Sequence, residues 1–227
     1  MYRLDIIVPF YNEEEYLQQS VDRLVKADIH NHIYLVNNNS TDSSKQIALE
    51  ISDKHHDISY LETTREQGKG VGLRSAITRV KGSHIVVHDA DLEYFPEDLQ
   101  ALKEVSINNP AALILGSRFI GTMFRKNNYL RTKIANQVMS KFFSLTHGVS
   151  VTDVATCYKL IPLGALKSFT LKEKGFAIEI ELIAKYLKTP NAEIFEVPIR
   201  YQGRTYEQGK KITFKDGFKY LYSTLKY

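Results

Sequence analysis

Short β-branched apolar runs alternate with amphipathic stretches through the first half of this chain. Leu4–Val8 predicts a strand stopped by Pro9. Glu14–Lys26 places Leu17, Val21, Leu24 and Val25 at helical spacing. Ile33–Val36 and Ile58–Leu61 predict two more strands, separated by a helix through Lys54 that Ser40 or Asp42 can cap. Gly68–Val80 opens at a glycine-rich turn and becomes helical through Leu73, Ala76, Ile77 and Val80. Ile85–Val87 is a fourth strand, Pro96–Ser106 a helix with proline in its first turn, and Leu113–Leu115 a fifth strand. Such alternation predicts an α/β fold, a parallel sheet with helices on both faces, carried by residues 1–115.

The second half is less regular. Tyr129–Thr146 and Ile178–Leu187 predict helices, and Thr156–Leu160 and Glu193–Val197 predict strands. Arg200 to Lys211 is polar and rich in cations. In the tail, Phe214, Phe218, Leu221 and Leu225 recur at helical spacing, with Lys215, Lys219 and Lys226 among them. That pattern fits either a helix lying in a membrane interface or one docked on the core. No repeat or linker interrupts the chain. One domain is expected over residues 1–227, with halves at 1–115 and 116–211 and an amphipathic tail at 212–227.

Composition narrows the classes. With 227 residues and 43% hydrophobic positions the chain can bury a full core. The single cysteine, Cys157, rules out an internal disulfide and suits a reducing, cytoplasmic compartment. A net charge of +4 is too weak to argue for nucleic acid, but suits an anionic small molecule or membrane surface. The N-terminus enters a strand without a signal-peptide pattern, and no apolar run reaches a membrane span's length. A peripheral or soluble protein is expected.

The chemistry lies after the fourth strand, at His88-Asp89-Ala90-Asp91-Leu92-Glu93. In an extended segment residues i and i+2 share a side, so Asp89 and Asp91 can face one hard cation and, through it, a diphosphate. A solvated acidic turn is the plain alternative. Three more polar segments end predicted strands: Pro9 to Glu14, Asn37-Asn38-Asn39-Ser40-Thr41-Asp42, and Gln67-Gly68-Lys69-Gly70. Open α/β sheets bind ligands beyond these ends.

This order of segments resembles the family 2 glycosyltransferases of GT-A fold. Gly116-Ser117-Arg118-Phe119, Asp153 with Thr156-Cys157-Tyr158-Lys159, Gly175-Phe176 with Glu179 and Glu181, and Gly203-Arg204-Thr205-Tyr206 with Gly209-Lys210-Lys211 resemble the dolichyl- or polyprenyl-phosphate branch. The resemblance implies inverting transfer of a sugar from a nucleotide diphosphate to a lipid phosphate at a cytoplasmic membrane face. It implies Mg²⁺ or Mn²⁺ on Asp89 and Asp91, with Glu93 as a third ligand, although the family often has glutamine there. Pro9, Tyr11, Glu13, Asn37, Asn38, Lys69 and Ala90, with the two aspartates, fall at donor-nucleotide positions. Arg118, Arg131, Arg204 and Lys210 fall where the family binds the acceptor phosphate. Asp89, Asp91, Arg118 and Arg204 would carry the reaction. An already anionic acceptor needs cations to orient it rather than a dedicated base. Lacking a span, the chain would reach lipid through the tail, through Tyr129–Thr146, or through a membrane-protein partner.

One departure stands out. The family usually has Asp-Asp-Gly-Ser after the second strand, where this chain has Asn37-Asn38-Asn39-Ser40. An amide both donates and accepts, so base preference is expected to relax or shift, toward cytosine for example. Other classes fit less well. Gly68-Lys69-Gly70-Val71-Gly72 follows the third strand and lacks the dinucleotide spacing. A nucleotidyltransferase would release pyrophosphate. A soluble or glycan acceptor, or a degenerate sugar- or lipid-phosphate-binding module, are the alternatives. The seven histidines read as structural or solvated, and Cys157 as packed.

Overall fold

A computed structural model describes residues 1–63, 68–126, 130–204 and 214–227, with 130–131 and 214–216 described by backbone alone. Nine strands are described: β1 Leu4–Phe10, β2 His32–Asn37, β3 Ile58–Glu62, β4 His84–Val87, β5 Leu113–Ser117, β6 Arg125–Lys126, β7 Lys159–Pro162, β8 Ile194–Pro198 and β9 Tyr201–Gln202. The helices are α1 Leu17–Ala27, α2 Ser44–Lys54, α3 Lys69–Ile77, α4 Leu99–Asn108, α5 Leu130–His147, α6 Leu163–Lys167, α7 Ile178–Tyr186 and α8 Phe214–Lys226. A 3₁₀ turn, Pro96–Asp98, precedes α4 and accounts for the proline.

Seven strands form one sheet in the order β3-β2-β1-β4-β7-β5-β8, and β6 and β9 pair separately. The first four run parallel, β7 is antiparallel to both neighbours, and β5–β8 is parallel. This is the mostly parallel α/β architecture expected, with one difference. The fifth predicted strand does not extend the sheet from β4, because β7 from the second half is inserted between them. The sheet therefore runs through both halves of the chain.

All seven residues of β1 are buried, as expected for a strand covered on both faces. The strand continues past Pro9, which was expected to end it. Pro9 pairs in register with Val36 of β2, whereas the β4 register stops at Ile7–Val87. The side of Pro9 that lacks an N–H thus meets no strand, where proline costs no ladder bond. β7 begins later than predicted: the Tyr158 carbonyl still accepts from Gly116 N–H of β5 (2.8 Å), but the Cys157 N–H leaves the sheet and donates to the Tyr94 hydroxyl (3.0 Å). No helix among the described residues is long and apolar enough to cross a membrane.

Candidate active site

The loops after β1, β2 and β4 leave the C-terminal ends of adjacent parallel strands. They border a cleft of about 380 Å³. Its lining includes Pro9, Tyr11, Glu13, Asn38, Lys69, Asp89, Ala90, Asp91, Glu93, Arg118 and Arg204. The acidic loop starts from a fixed point. His88 is 1% exposed; its ring lies between Ser20 Oγ (3.2 Å) and the Tyr158 hydroxyl (2.9 Å). Burial lowers its pKa to about 4, so the ring is a neutral strut rather than a charge.

Asp89 is bound to a buried lysine. Lys69 Nζ lies 2.8 Å from Asp89 Oδ1 and 2.6 Å from Glu179 Oε1. Glu179 in turn holds Lys159 at 2.6 Å. Burial disfavours the Lys69 charge, but the Asp89 and Glu179 carboxylates outweigh it and hold the ammonium's pKa well above normal. Burial likewise opposes the Asp89 charge, and Lys69 reverses the balance, leaving its pKa lowered. The glycines around Lys69 place it there. Gly68 has φ +125°, and a Cβ on it would collide with the Lys174 carbonyl. A Cβ on Gly70 would collide with the Glu173 carbonyl, and Gly70 N–H donates to Lys174 O (2.8 Å). The turn is glycine-rich so that α3 can start directly against the 173–175 backbone. Lys69 is consequently neither solvated nor free.

Asp91 stands differently. Leu92 has φ 61°, a strained left-handed conformation for a bulky residue. It turns the chain so that Glu93 N–H donates to Asp91 Oδ1 (3.1 Å). The Glu93 carboxylate, expected as a third metal ligand, has partners of its own. Its oxygens accept from the Tyr201 hydroxyl (2.7 Å) and the Arg204 N–H (2.6 Å). Arg204 Nε donates to the Asp91 carbonyl (2.9 Å), and its Nη2 meets Glu13 Oε2 at 2.7 Å. Its guanidinium also lies over the Tyr16 ring at 4.2 Å. Burial, then the Glu93 and Asp89 charges, push the Asp91 pKa well up.

Arg118 reaches the cleft from the end of β5. Its Nε and Nη2 form a two-point pair with Asp153 (2.7 and 2.8 Å), and its guanidinium lies 5.0 Å from the Tyr201 ring centre. The pair commits two of its nitrogens and leaves Nη1 as a donor. Of the two asparagines, only Asn38 borders the cleft. Asn37, the preceding residue on β2, points to the other side of the strand and is fully buried. It donates to the Tyr60 hydroxyl (3.1 Å) and accepts from Ser40 N–H (2.9 Å). The Asn38 amide makes no hydrogen bond among the described residues, and its Oδ1 is sealed without a partner. It lies flat over Gly72, 3.1 to 3.2 Å from where a Cβ would be. The side chain of Arg131 and the whole of Lys210 lie outside the described residues.

Two half-buried carboxylates side by side on the cleft wall are a donor pair that suits a hard divalent cation. No lysine or arginine side chain among the described residues forms an ion pair with the Asp91 carboxylate; the Arg204 charge offsets only part of the crowding by Glu93 and Asp89. An oxygen-preferring ion beside Asp91, shared with Asp89, would relieve that repulsion. Reading the sequence did not supply the groups that organise these residues. Glu179 and Lys159 complete the Asp89 network, Asp153 holds Arg118, and Tyr201 links Arg118 to Glu93. Asp153 and Glu179 lay within the family-like segments, and their acidity in otherwise apolar stretches was the available signal.

The mostly parallel sheet with paired carboxylates at its switch point is the architecture of GT-A glycosyltransferases, and the family match agrees. The chain belongs to glycosyl transferase family 2, whose sequence pattern it matches over residues 5–168. It is 26% identical to the dolichol-phosphate mannosyltransferase of Pyrococcus furiosus over 96% of this chain, and spans 62% of that relative. It is 28% identical to the UDP-N-acetylglucosamine–dolichyl-phosphate N-acetylglucosaminyltransferase of Methanococcus voltae, covering 97% of this chain and 94% of the relative. Among solved structures, glucosyl-3-phosphoglycerate synthase from Mycobacterium tuberculosis superposes with a TM-score of 0.76 at 14% identity, covering 99% of this chain and 80% of that one. That enzyme has also been crystallised with Mn²⁺, UDP and phosphoglyceric acid.

Proposed function

We propose that this protein transfers a sugar from a nucleoside-diphosphate sugar to the phosphate of a polyprenyl phosphate, with inversion, using Mg²⁺ or Mn²⁺ at Asp91 and Asp89. The observation that carries the reading is the Asp91 carboxylate, half-buried in the cleft wall, crowded by Glu93 and Asp89 and without an ion pair among the described residues. Family membership and the two relatives named for dolichyl-phosphate substrates support the acceptor class.

The ion would neutralise the diphosphate as it leaves. Lys69 fixes Asp89, so the loop is preorganised and its carboxylate stays ionised at neutral pH. Asn38 and Tyr11 border the end of the cleft where the base would lie. Arg118, through Nη1, and Arg204 would orient the acceptor phosphate in line with the anomeric carbon, Asp153 and Glu13 keeping both guanidiniums in place. The phosphate attacks as an anion, so no group has to remove a proton. This reading puts the protein at the cytoplasmic face of a membrane.

The test supplies nucleotide sugars, Mn²⁺ and a polyprenyl phosphate, and analyses both products. Free nucleoside diphosphate with a lipid-phosphate sugar supports the proposal. Pyrophosphate release, or no turnover with any donor, overturns it.

A further inference from the structure

Glu93 fastens the acidic loop to a distant segment. Each of its polar groups has a partner, and three of the four partners lie between 201 and 204. Its N–H donates to Asp91 Oδ1 (3.1 Å), and its carbonyl accepts from Gln202 N–H (2.9 Å). Its Oε2 accepts from the Tyr201 hydroxyl (2.7 Å) and its Oε1 from Arg204 N–H (2.6 Å). Tyr94, the next residue, bridges Tyr201 in antiparallel fashion. Arg204 closes the join from its own side, with Nε on the Asp91 carbonyl (2.9 Å) and Nη2 on Glu13 (2.7 Å).

A carboxylate two residues beyond Asp91 invites a different role, that of a ligand to the same ion. The geometry argues against it. Tyr201 and Arg204 are both buried, and turning Glu93 toward an ion would leave a hydroxyl and a backbone N–H there without an acceptor. The Glu93 charge still acts on Asp91 through space, so an ion gains from it without being bound by it. We propose that Glu93 is a positioning residue, which holds Arg204 in place for the acceptor phosphate and is not a ligand of the divalent ion. This rests on the acceptor role given to Arg204 above. The backbone that carries Arg204 is tied to the loop that carries Asp91. The acceptor cation and the ion-binding carboxylate therefore keep a fixed separation, as in-line attack requires.

The test compares wild type with Glu93→Ala, Glu93→Gln and Tyr201→Phe. Calorimetry reads binding of Mn²⁺ and of a water-soluble short-chain prenyl phosphate, kinetics read KM for donor and acceptor, and hydrogen exchange reads the Arg204 amide. In Glu93→Ala the acceptor Kd and KM should rise about tenfold and the Arg204 amide should exchange faster, with donor KM and Mn²⁺ Kd within a few-fold of wild type. Glutamine keeps an oxygen for Arg204 N–H and can donate its amide to the Tyr201 hydroxyl, so Glu93→Gln should restore acceptor binding. Tyr201→Phe removes one hydroxyl and keeps the ring; it should raise the acceptor KM by a few-fold, and it reads the same join if the alanine variant does not fold. A Mn²⁺ affinity weakened beyond about tenfold in Glu93→Ala makes Glu93 a ligand and overturns the proposal. So does an acceptor KM unchanged in both Glu93→Ala and Tyr201→Phe. If wild type neither binds nor turns over the prenyl phosphate, the reaction proposed above fails and the Arg204 amide decides the positioning role. Faster exchange in Glu93→Ala then supports it, and equal exchange overturns it.

Discussion

Asp89 and Asp91 lie on one loop with a single residue between them, and both border the same cleft, yet their electrostatic settings are opposite. Asp89 shares a buried ammonium with Glu179, and its charge is stabilised. Asp91 accepts a backbone N–H from Glu93, and its charge is opposed by burial and two neighbouring carboxylates. The first aspartate is part of the folded ion network. The second is a charge the fold tolerates at a cost, which is the expected state of a binding group whose partner arrives from outside.

The largest effect that can break this comparison is on stability without metal. Asp89→Asn removes one of the two carboxylates on Lys69 and should destabilise the protein by about 1–2 kcal/mol, since Glu179 must then serve both Lys69 and Lys159. Asp91→Asn removes the repelled charge and should stabilise it by about 1 kcal/mol. Both should lower transfer by about a hundredfold or more. Urea midpoints in the presence of a chelator read the signs directly. If both substitutions destabilise equally, the two carboxylates are not in different states.

A second measurement adds the ion. Saturating Mn²⁺ at about a hundred times its Kd should contribute about 2.7 kcal/mol to the wild type. For a chain of this size that raises Tm by about 5–10 °C. Asp91→Asn should lose the shift. A shift that survives in this variant but disappears in Asp89→Asn would reverse the assignment of the two roles.

The sequence shows some of this arrangement and hides the rest for identifiable reasons. The acidic loop was legible because it follows an apolar strand, and strand ends are where α/β sheets place ligands. Lys69 was legible as a cation at a helix start, but its partner Glu179 was not, because nothing local ties α3 to α7. The glycines marked the start of a helix, and the structure adds that they let backbone approach backbone at residues 173–175. The presence of the main strands followed from the apolar pattern, whereas the bounds of β1 and β7 did not. The insertion of β7 between β4 and β5 is a choice of strand order, which periodicity does not encode. The tail's spacing predicted a helix but not which face would turn outward. Asn37 and Asn38 were separable in principle, since adjacent strand residues point to opposite sides.

Asn38 sharpens the comparison at the far end of the cleft, where the unpaired group is neutral. With its Oδ1 sealed, the amide nitrogen is the group left to meet a base edge, as a donor, whereas a carboxylate can only accept. Asn38→Asp should weaken binding of CDP, whose ring N3 is an acceptor, by about tenfold, and leave UDP and GDP within a few-fold. Calorimetric titration of the three nucleotides with Mn²⁺ checks this. An unchanged ranking would mean that Asn38 does not meet the base.

The smallest expected effect concerns the residue that separates the two carboxylates. Leu92 sits at φ 61°, and the bonds around it — Glu93 N–H to Asp91 Oδ1, Arg204 Nε to the Asp91 carbonyl, and Gln202 N–H to the Glu93 carbonyl — hold the turn from both sides. Leu92→Gly removes strain of about 1–2 kcal/mol, but glycine gives the unfolded chain more freedom to lose, roughly 0.5–1 kcal/mol. The net change should be a stabilisation of less than about 1 kcal/mol, with the Mn²⁺ shift intact. Leu92→Val tests the same point in the opposite direction, because a β-branched residue resists positive φ. If the turn fixes the Asp91 carboxylate at the cleft wall, valine should weaken the Mn²⁺-induced rise in Tm without disturbing the Lys69–Asp89 pair. If valine leaves that rise untouched, the surrounding hydrogen bonds alone position Asp91, and the strained backbone is incidental to it.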